Sequence, residues 1–216
     1  MADTLRSGED DTSVRGLMPP YVVLQDFLDG NTVAGLLEYA TSHQLDFVPS
    51  SIEAKGIDSS YRVSMVLPDL GRYGSLFDAK ILDLVPDLVA RMRATPVREP
   101  KIETELAVHG DGAFYKRHVD TKTGHYPDAA RIRILSCVYY FYAEPRAFTG
   151  GALRLHSIGG KKGDRFVDIE PLRNSLLAFL AWAPHEVLPV ACPSKKFIDS
   201  RFAINCWVHG KKPGSP

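Results

Sequence analysis

Three side chains in this chain are of the right types and spacing to hold a metal. In Tyr115-Lys116-Arg117-His118-Val119-Asp120, an extended strand alternates its side chains between two faces, so His118 and Asp120 point the same way, one strand repeat apart. An imidazole and a carboxylate on one wall cover an edge of an octahedral metal. A second imidazole from a distant strand completes a 2-His-1-carboxylate face and leaves three positions open, and His185 supplies one. A His-x-Asp alone occurs by chance in many proteins, so its weight comes from what surrounds it. His125 is a rival third ligand because it is close to Asp120 in the chain, but Gly124 and Pro127 put it in a loop that fixes geometry poorly. His185 falls on a predicted strand.

A fourth candidate is Arg201. In the last strand Arg201, Ala203, Asn205 and Trp207 share one face, while Phe202, Ile204, Cys206 and Val208 form a packing face. A guanidinium on the first face is costly to bury unless an anion meets it, and its planar fork suits a carboxylate. The competing reading is a strand-end arginine that reaches solvent or a protein Asp. Lys195 and Lys196 are fallback cations in a polar loop. Among the remaining histidines, His109 reads as a pocket-wall or satisfied core residue, and His43, His156 and His209 as structural. Gly150-Gly151 has no following helix and no Lys-Ser/Thr, so it reads as a tight turn rather than a phosphate loop.

The elements that must position these residues come late in the chain. Stretches 102–108, 131–142, 152–156, 165–169, 175–180, 185–190 and 201–208 are short, rich in β-branched or aromatic residues, and separated by Gly, Pro or polar turns. With no helices between them they predict a jelly roll. Earlier, 21–24 reads as a short strand, and Asp29 or Asn31 caps a helix through about Ser42 with Val33, Leu36, Leu37 and Ala40 at helical spacing. A second helical pattern runs from Ser75 to Ala94, with Pro86 expected to kink or split it. Between the two, 46–74 is broken by Pro49, Gly56 and Pro68, with one strand expected around 62–67, and reads as a surface excursion or a substrate lid. The organisation expected is a tail over 1–18, one domain over 19–210 with its jelly-roll core near 101–209, and a tail over 211–216.

Composition narrows the function. Of 216 residues, 44% are hydrophobic, enough for a full core, and 26 basic residues balance 26 acidic ones. That balance removes the footprint of a nucleic-acid binder. Three cysteines without CxxC spacing indicate neither a disulfide framework nor a thiolate zinc site. No signal-peptide pattern or membrane-length apolar run is present, so the expectation is a cytoplasmic protein with no membrane partner. Oligomeric state leaves no mark on the sequence.

Taken in order, His118-x-Asp120, Cys137-Val138-Tyr139-Tyr140, Gly150 to Leu155, Asn174 to Phe179, His185-Glu186-Val187-Leu188-Pro189-Val190 and Arg201 with Trp207 resemble the Fe(II)/2-oxoglutarate-dependent dioxygenases of the prolyl 4-hydroxylase type, over roughly 101–209. The resemblance implies a mainly β, double-stranded β-helix fold with N-terminal support helices. It implies that His118, Asp120 and His185 bind Fe(II), that Arg201 pairs with the distal carboxylate of 2-oxoglutarate, that Tyr140 donates a hydroxyl to the same carboxylate, and that Tyr115 lines the pocket. It implies O2 as co-reactant, ascorbate as an accessory reductant, and hydroxylation of an unactivated C–H bond with release of succinate and CO2. Related halogenases carry a small residue where Asp120 stands, so Asp120 favours hydroxylation.

The substrate expected is a prolyl or other amino acid, free or in a peptide. Arg62, Arg131, Arg154 and Arg72 are candidates to meet a free amino acid's carboxylate. Two rivals differ in class. A metal-binding jelly-roll sensing domain without turnover would turn Arg201 outward, and a cupin-like enzyme would carry His-x-His followed by Glu, which is absent.

Overall fold

The computed structural model describes residues 4–6, 16–51, 56–121, 131–159 and 165–211. In chain order the elements are β1 (Thr4–Arg6), β2 (Tyr21–Leu24), α1 (Gly30–Ser42), β3 (Val48–Pro49), β4 (Arg62–Val63), β5 (Met65–Leu67), α2 (Arg72–Arg91), β6 (Lys101–His109), β7 (Phe114–His118) and β8 (Arg131–Phe141). They continue with β9 (Thr149–Gly150), β10 (Leu153–His156), β11 (Phe166–Ile169), β12 (Ser175–Leu180), β13 (His185–Val187), β14 (Val190–Ala191) and β15 (Arg201–Lys211).

The strands form a double-stranded β-helix. An eight-stranded sheet runs β1-β2-β12-β8-β15-β6-β5-β3, a five-stranded sheet runs β11-β10-β13-β7-β4, and β14 pairs with β9. Alternation sorts the long strands between two cores. Phe202, Ile204, Cys206 and Val208 of β15 join Leu135, Cys137, Tyr139 and Phe141 of β8 against Leu36 of α1 and Phe77, Ile81 and Leu88 of α2. On the opposite face Tyr140, Val138, Leu177, Phe179 and Ala203 meet Leu153 and Leu155 of the smaller sheet. The large sheet is covered on both sides, which is why β12 reads Ser-Leu-Leu-Ala-Phe-Leu without a polar alternate.

The first helix starts where its cap is expected. The Asp29 carboxylate accepts from the Thr32 backbone N–H at 3.0 Å and from the Thr32 hydroxyl at 2.6 Å. The expected break at Pro86 does not occur, for α2 continues from Arg72 to Arg91 with Pro86 inside it. Pro86 and Leu82 both face solvent, so the Leu82 carbonyl, which loses its helical donor, is open to water. Stretch 46–74 holds more strand than expected. β4 joins the small sheet and β5 the large one, with the buried Ser64 between them bonded to Ser50 Oγ at 2.7 Å. Within the stretch expected to be a tail, Thr4–Arg6 pairs with β2. No helix among the described residues is long and apolar enough to cross a membrane.

Asn174 ties the helical layer to the site. It sits at φ +57° ahead of β12, a left-handed position that Asn tolerates. Its Oδ1 accepts from the Leu28 N–H at 2.9 Å and the Tyr139 hydroxyl at 3.0 Å, and its Nδ2 donates to the Leu28 carbonyl at 2.8 Å. Its backbone N–H donates to the Tyr140 carbonyl at 2.8 Å, so the strand end that carries Tyr140 is pinned from both directions.

Candidate metal centre and active site

β7 and β13 are antiparallel neighbours in the small sheet, and their register sets His118 directly opposite His185. Asp120 lies two residues beyond the end of β7, where its backbone N–H donates to the Ala181 carbonyl at 2.8 Å. The three ligand atoms lie within 4.8 Å of one another. His118 Nε2 is 3.6 Å from Asp120 Oδ1, and His185 Nε2 is 3.6 Å from Asp120 Oδ2.

The ring orientation of both histidines is fixed by their own strands. His118 Nδ1 lies 2.7 Å from the Lys116 carbonyl, and His185 Nδ1 lies 2.9 Å from the Ala183 carbonyl. A carbonyl only accepts, so each Nδ1 carries a proton, and each Nε2 is the ring nitrogen turned toward the carboxylate. Tyr115 stacks on the His118 ring at 3.6 Å between centroids, and Phe179 meets His185 edge-on at 4.7 Å. Two imidazoles with Nε2 turned toward an anionic oxygen fit a divalent metal, and these are the residues that would hold Fe(II).

Burial and the neighbouring His185 push the His118 imidazole down to about 3, outweighing the pull of Asp120. Burial alone would raise the Asp120 carboxyl, but His185, His118, the Ser136 hydroxyl and the Trp207 side chain together hold it below the usual carboxylate range. Ser136, itself buried, donates to Asp120 Oδ2 at 2.6 Å. Sequence reasoning missed Ser136, although the period of β8 pointed to it: Ser136, Val138 and Tyr140 share one face. Removing this donor with Ser136→Ala is expected to weaken divalent-metal binding roughly 10- to 100-fold, measured by competition against a chelating dye.

Buried neutral histidines also set a pH dependence. Burial, with Arg201 and Arg62 nearby, drives His109 well below the ordinary histidine value, as burial drives His118. The unfolded chain takes up protons at both from about pH 6.5 downward, while the fold excludes them. Stability of the metal-free protein is therefore present above pH 6.5 and lost as pH falls toward the folded values, by up to about 1.4 kcal/mol per pH unit for each histidine. Urea unfolding midpoints across the mildly acidic range check this.

The triad opens into a cavity of about 470 Å³ that also borders Arg201, His109, Tyr115, Glu105 and Trp207. Arg201 is 1% exposed, which rules out the solvent-reaching arginine. No protein carboxylate pairs with it among the described residues. Its Nη1 donates to His109 Nδ1 at 3.1 Å, its guanidinium lies 4.7 Å from the Tyr140 ring centre, and its Nε is buried with no hydrogen-bond acceptor. The Tyr140 hydroxyl is buried beside this guanidinium with no other hydrogen-bond partner among the described residues, and burial raises its pKa against the charge and hydrogen bond of Arg201. A buried guanidinium with an unused Nε–H at the cavity wall, next to a buried phenol, fits a carboxylate that comes from outside the protein.

Gly151, at φ +71°, explains how the arginine finds room. A Cβ there would come within 2.7 Å of Arg201 Cδ, so Gly150-Gly151 is a turn that makes space for the guanidinium's stem. Lys195 and Lys196 are exposed and do not border the cavity. His125 lies outside the described residues. His43, His156 and His209 bond to the Tyr39 carbonyl, Glu186 and Glu103 respectively, away from the triad. Tyr115 borders the cavity, and burial pushes its phenol up to about 12.

Residues 104–209 match the family model described as the 2OG-Fe(II) oxygenase superfamily. The chain is 31% identical over 198 residues to an uncharacterised PKHD-type hydroxylase of Synechocystis sp., an alignment that covers 88% of this chain and 63% of the relative's length. In fold it is similar to a Pseudomonas putida prolyl-4-hydroxylase (TM-score 0.64, 22% identity, 89% of this chain and 92% of that one). It is also similar to a Trichoplax adhaerens prolyl hydroxylase solved with a hypoxia inducible factor peptide (TM-score 0.60, 19% identity, 87% and 82%). The jelly-roll segment that carries His118, Asp120, His185 and Arg201 belongs to the 2OG-Fe(II) oxygenase superfamily, whose cofactor and cosubstrate are Fe(II) and 2-oxoglutarate.

Proposed function

We propose that this chain is a 2-oxoglutarate-dependent hydroxylase acting on a prolyl or other amino-acid residue. The observation that carries the reading is the shared cavity: a 2-His-1-carboxylate triad and a buried arginine without a carboxylate face the same space. When bound, Fe(II) and 2-oxoglutarate supply the oxidising chemistry, in which O2 is consumed, succinate and CO2 are released, and a C–H bond becomes C–OH. The residues do the rest. His118, Asp120 and His185, which border the cavity, would hold the metal. Arg201 and Tyr140 receive the distal carboxylate and so orient the keto-acid end toward the metal. Tyr115, stacked on His118, closes the wall beside it and excludes water. The inward arginine supports turnover over a metal-binding module that would have no use for a cosubstrate anchor.

The arginines favour an amino acid within a peptide over a free one. Arg62 borders the cavity but pairs with Glu105 at 3.2 Å, and Arg133, which also borders it, pairs with Glu103 at 2.7 Å. Arg131 and Arg154 pair with Glu99 and Asp168 and do not border it. Arg72 lies at the start of α2 and hydrogen-bonds the Tyr73 hydroxyl. A free substrate carboxylate would have to displace a protein one. Three free thiols suit a reducing compartment, which supports a cytoplasmic setting.

The test is anaerobic titration of Fe(II) and 2-oxoglutarate into the apoprotein, followed by O2 and proline-containing peptides or free amino acids, with succinate counted. A weak visible charge-transfer band and peptide-stimulated succinate release are expected. Iron binding with no band would sink the reading, and stimulation by a free amino acid alone would reverse the substrate class.

A further inference from the structure

His109 has no role in the scheme above, yet it stands opposite Arg201 across the β6–β15 ladder. It is 4% exposed and borders the same cavity. Its one hydrogen bond among the described residues joins Nδ1 to Arg201 Nη1 at 3.1 Å. A guanidinium has five N–H donors and no acceptor, so Nδ1 must accept. The doubly protonated ring is excluded by the same contact, and burial and the adjacent guanidinium disfavour it further. The ring is therefore neutral with its proton on Nε2. Thus Arg201 turns a ring that would otherwise sample two tautomers into a fixed donor. Among the described residues no protein acceptor meets this N–H, and the ring borders the cavity, so the donor is available to a ligand that displaces water there.

We propose that His109 is a cosubstrate-binding residue: its Nδ1 holds Arg201 in place, and its Nε2–H donates to the distal carboxylate of 2-oxoglutarate beside Arg201 and Tyr140. The inference rests on the reading of Arg201 as the anchor and extends it from two donors to three. It also accounts for a histidine, rather than another arginine, next to a buried guanidinium. A second cation would repel the first, whereas a neutral imidazole accepts from Arg201 on one side and donates on the other.

The test uses the full chain loaded with Mn(II), which holds the keto acid without turnover, and calorimetry with 2-oxoglutarate and with 2-oxobutyrate, which has the chelating end but no distal carboxylate. His109→Leu is expected to bind 2-oxoglutarate roughly 10- to 100-fold more weakly and 2-oxobutyrate as the wild type does. His109→Gln, whose amide accepts and donates, stays within a few-fold. Nitrogen-resolved NMR of histidine-labelled, Zn(II)-loaded wild type reads the tautomer without any substitution. The proton of the His109 ring is expected on Nε2, with a resonance that moves when 2-oxoglutarate is added. A proton on Nδ1, an Nε2–H indifferent to 2-oxoglutarate, or equal losses for the two keto acids in the Leu variant would overturn the proposal. If Arg201→Ala loses 2-oxoglutarate while His109→Leu does not, the anchor stands and the histidine's role falls. If Arg201→Ala binds normally, the anchor itself falls.

Discussion

Asp120→Ala is expected to fold and to lose iron. Asp120 is the one anionic ligand of the triad, and two imidazoles, the Ser136 hydroxyl and the Trp207 side chain are arranged around its carboxylate. Loss of a hydrogen bond to such a ligand weakens metal binding by about 10- to 100-fold, so loss of the ligand itself should exceed the upper end of that range. The fold has little reason to fail. The backbone N–H of Asp120 keeps its bond to Ala181, the carboxylate side chain is not part of either hydrophobic core, and the groups left behind face a cavity that water can enter. Circular dichroism and a thermal unfolding curve would confirm folding, and a metal titration would give the affinity. A variant that holds Fe(II) within a few-fold of wild type would mean that the metal, if it binds, sits elsewhere.

Arg201→Ala separates cosubstrate from metal. A carboxylate held by two charge-assisted hydrogen bonds gains about 1.5–3 kcal/mol from each, so the variant should bind 2-oxoglutarate about a hundredfold more weakly or worse, with metal affinity unchanged. Arg201→Lys should not restore binding, because an ammonium lacks the planar fork. The same site makes an opposite prediction about stability. A fully buried guanidinium with no carboxylate partner and an unpaired Nε among the described residues costs the apoprotein folding free energy. Arg201→Met, which keeps the stem's packing and drops the charge, is expected to stabilise the metal-free chain by about 1–3 kcal/mol. Added metal and 2-oxoglutarate should then protect wild type against urea and protect the variant no more than metal alone. A variant less stable than wild type would show that Arg201 serves the fold rather than a ligand.

Relations that depend on local periodicity are legible in the order of the amino acids alone. Strand alternation set His118 beside Asp120 and put Arg201, Ala203, Asn205 and Trp207 on one face, and a cap at Asp29 or Asn31 bounded the start of α1, because each of these relations spans only a few residues. Relations that depend on register between distant strands are fixed only in the folded chain. The pairing of β7 with β13 sets His185 opposite His118, the pairing of β15 with β6 sets Arg201 opposite His109, and β8 beside β15 brings Ser136 level with Trp207 under Asp120. No local pattern encodes those offsets, since a slip of two residues preserves every inside–outside assignment while moving each partner along the strand by roughly 7 Å. Solvent exposure is settled at the same level. Pro86 does not break α2 because its side of the helix faces water, and Arg201 reads as an anchor rather than a strand-end charge because the Gly150-Gly151 turn packs on its stem and leaves it buried.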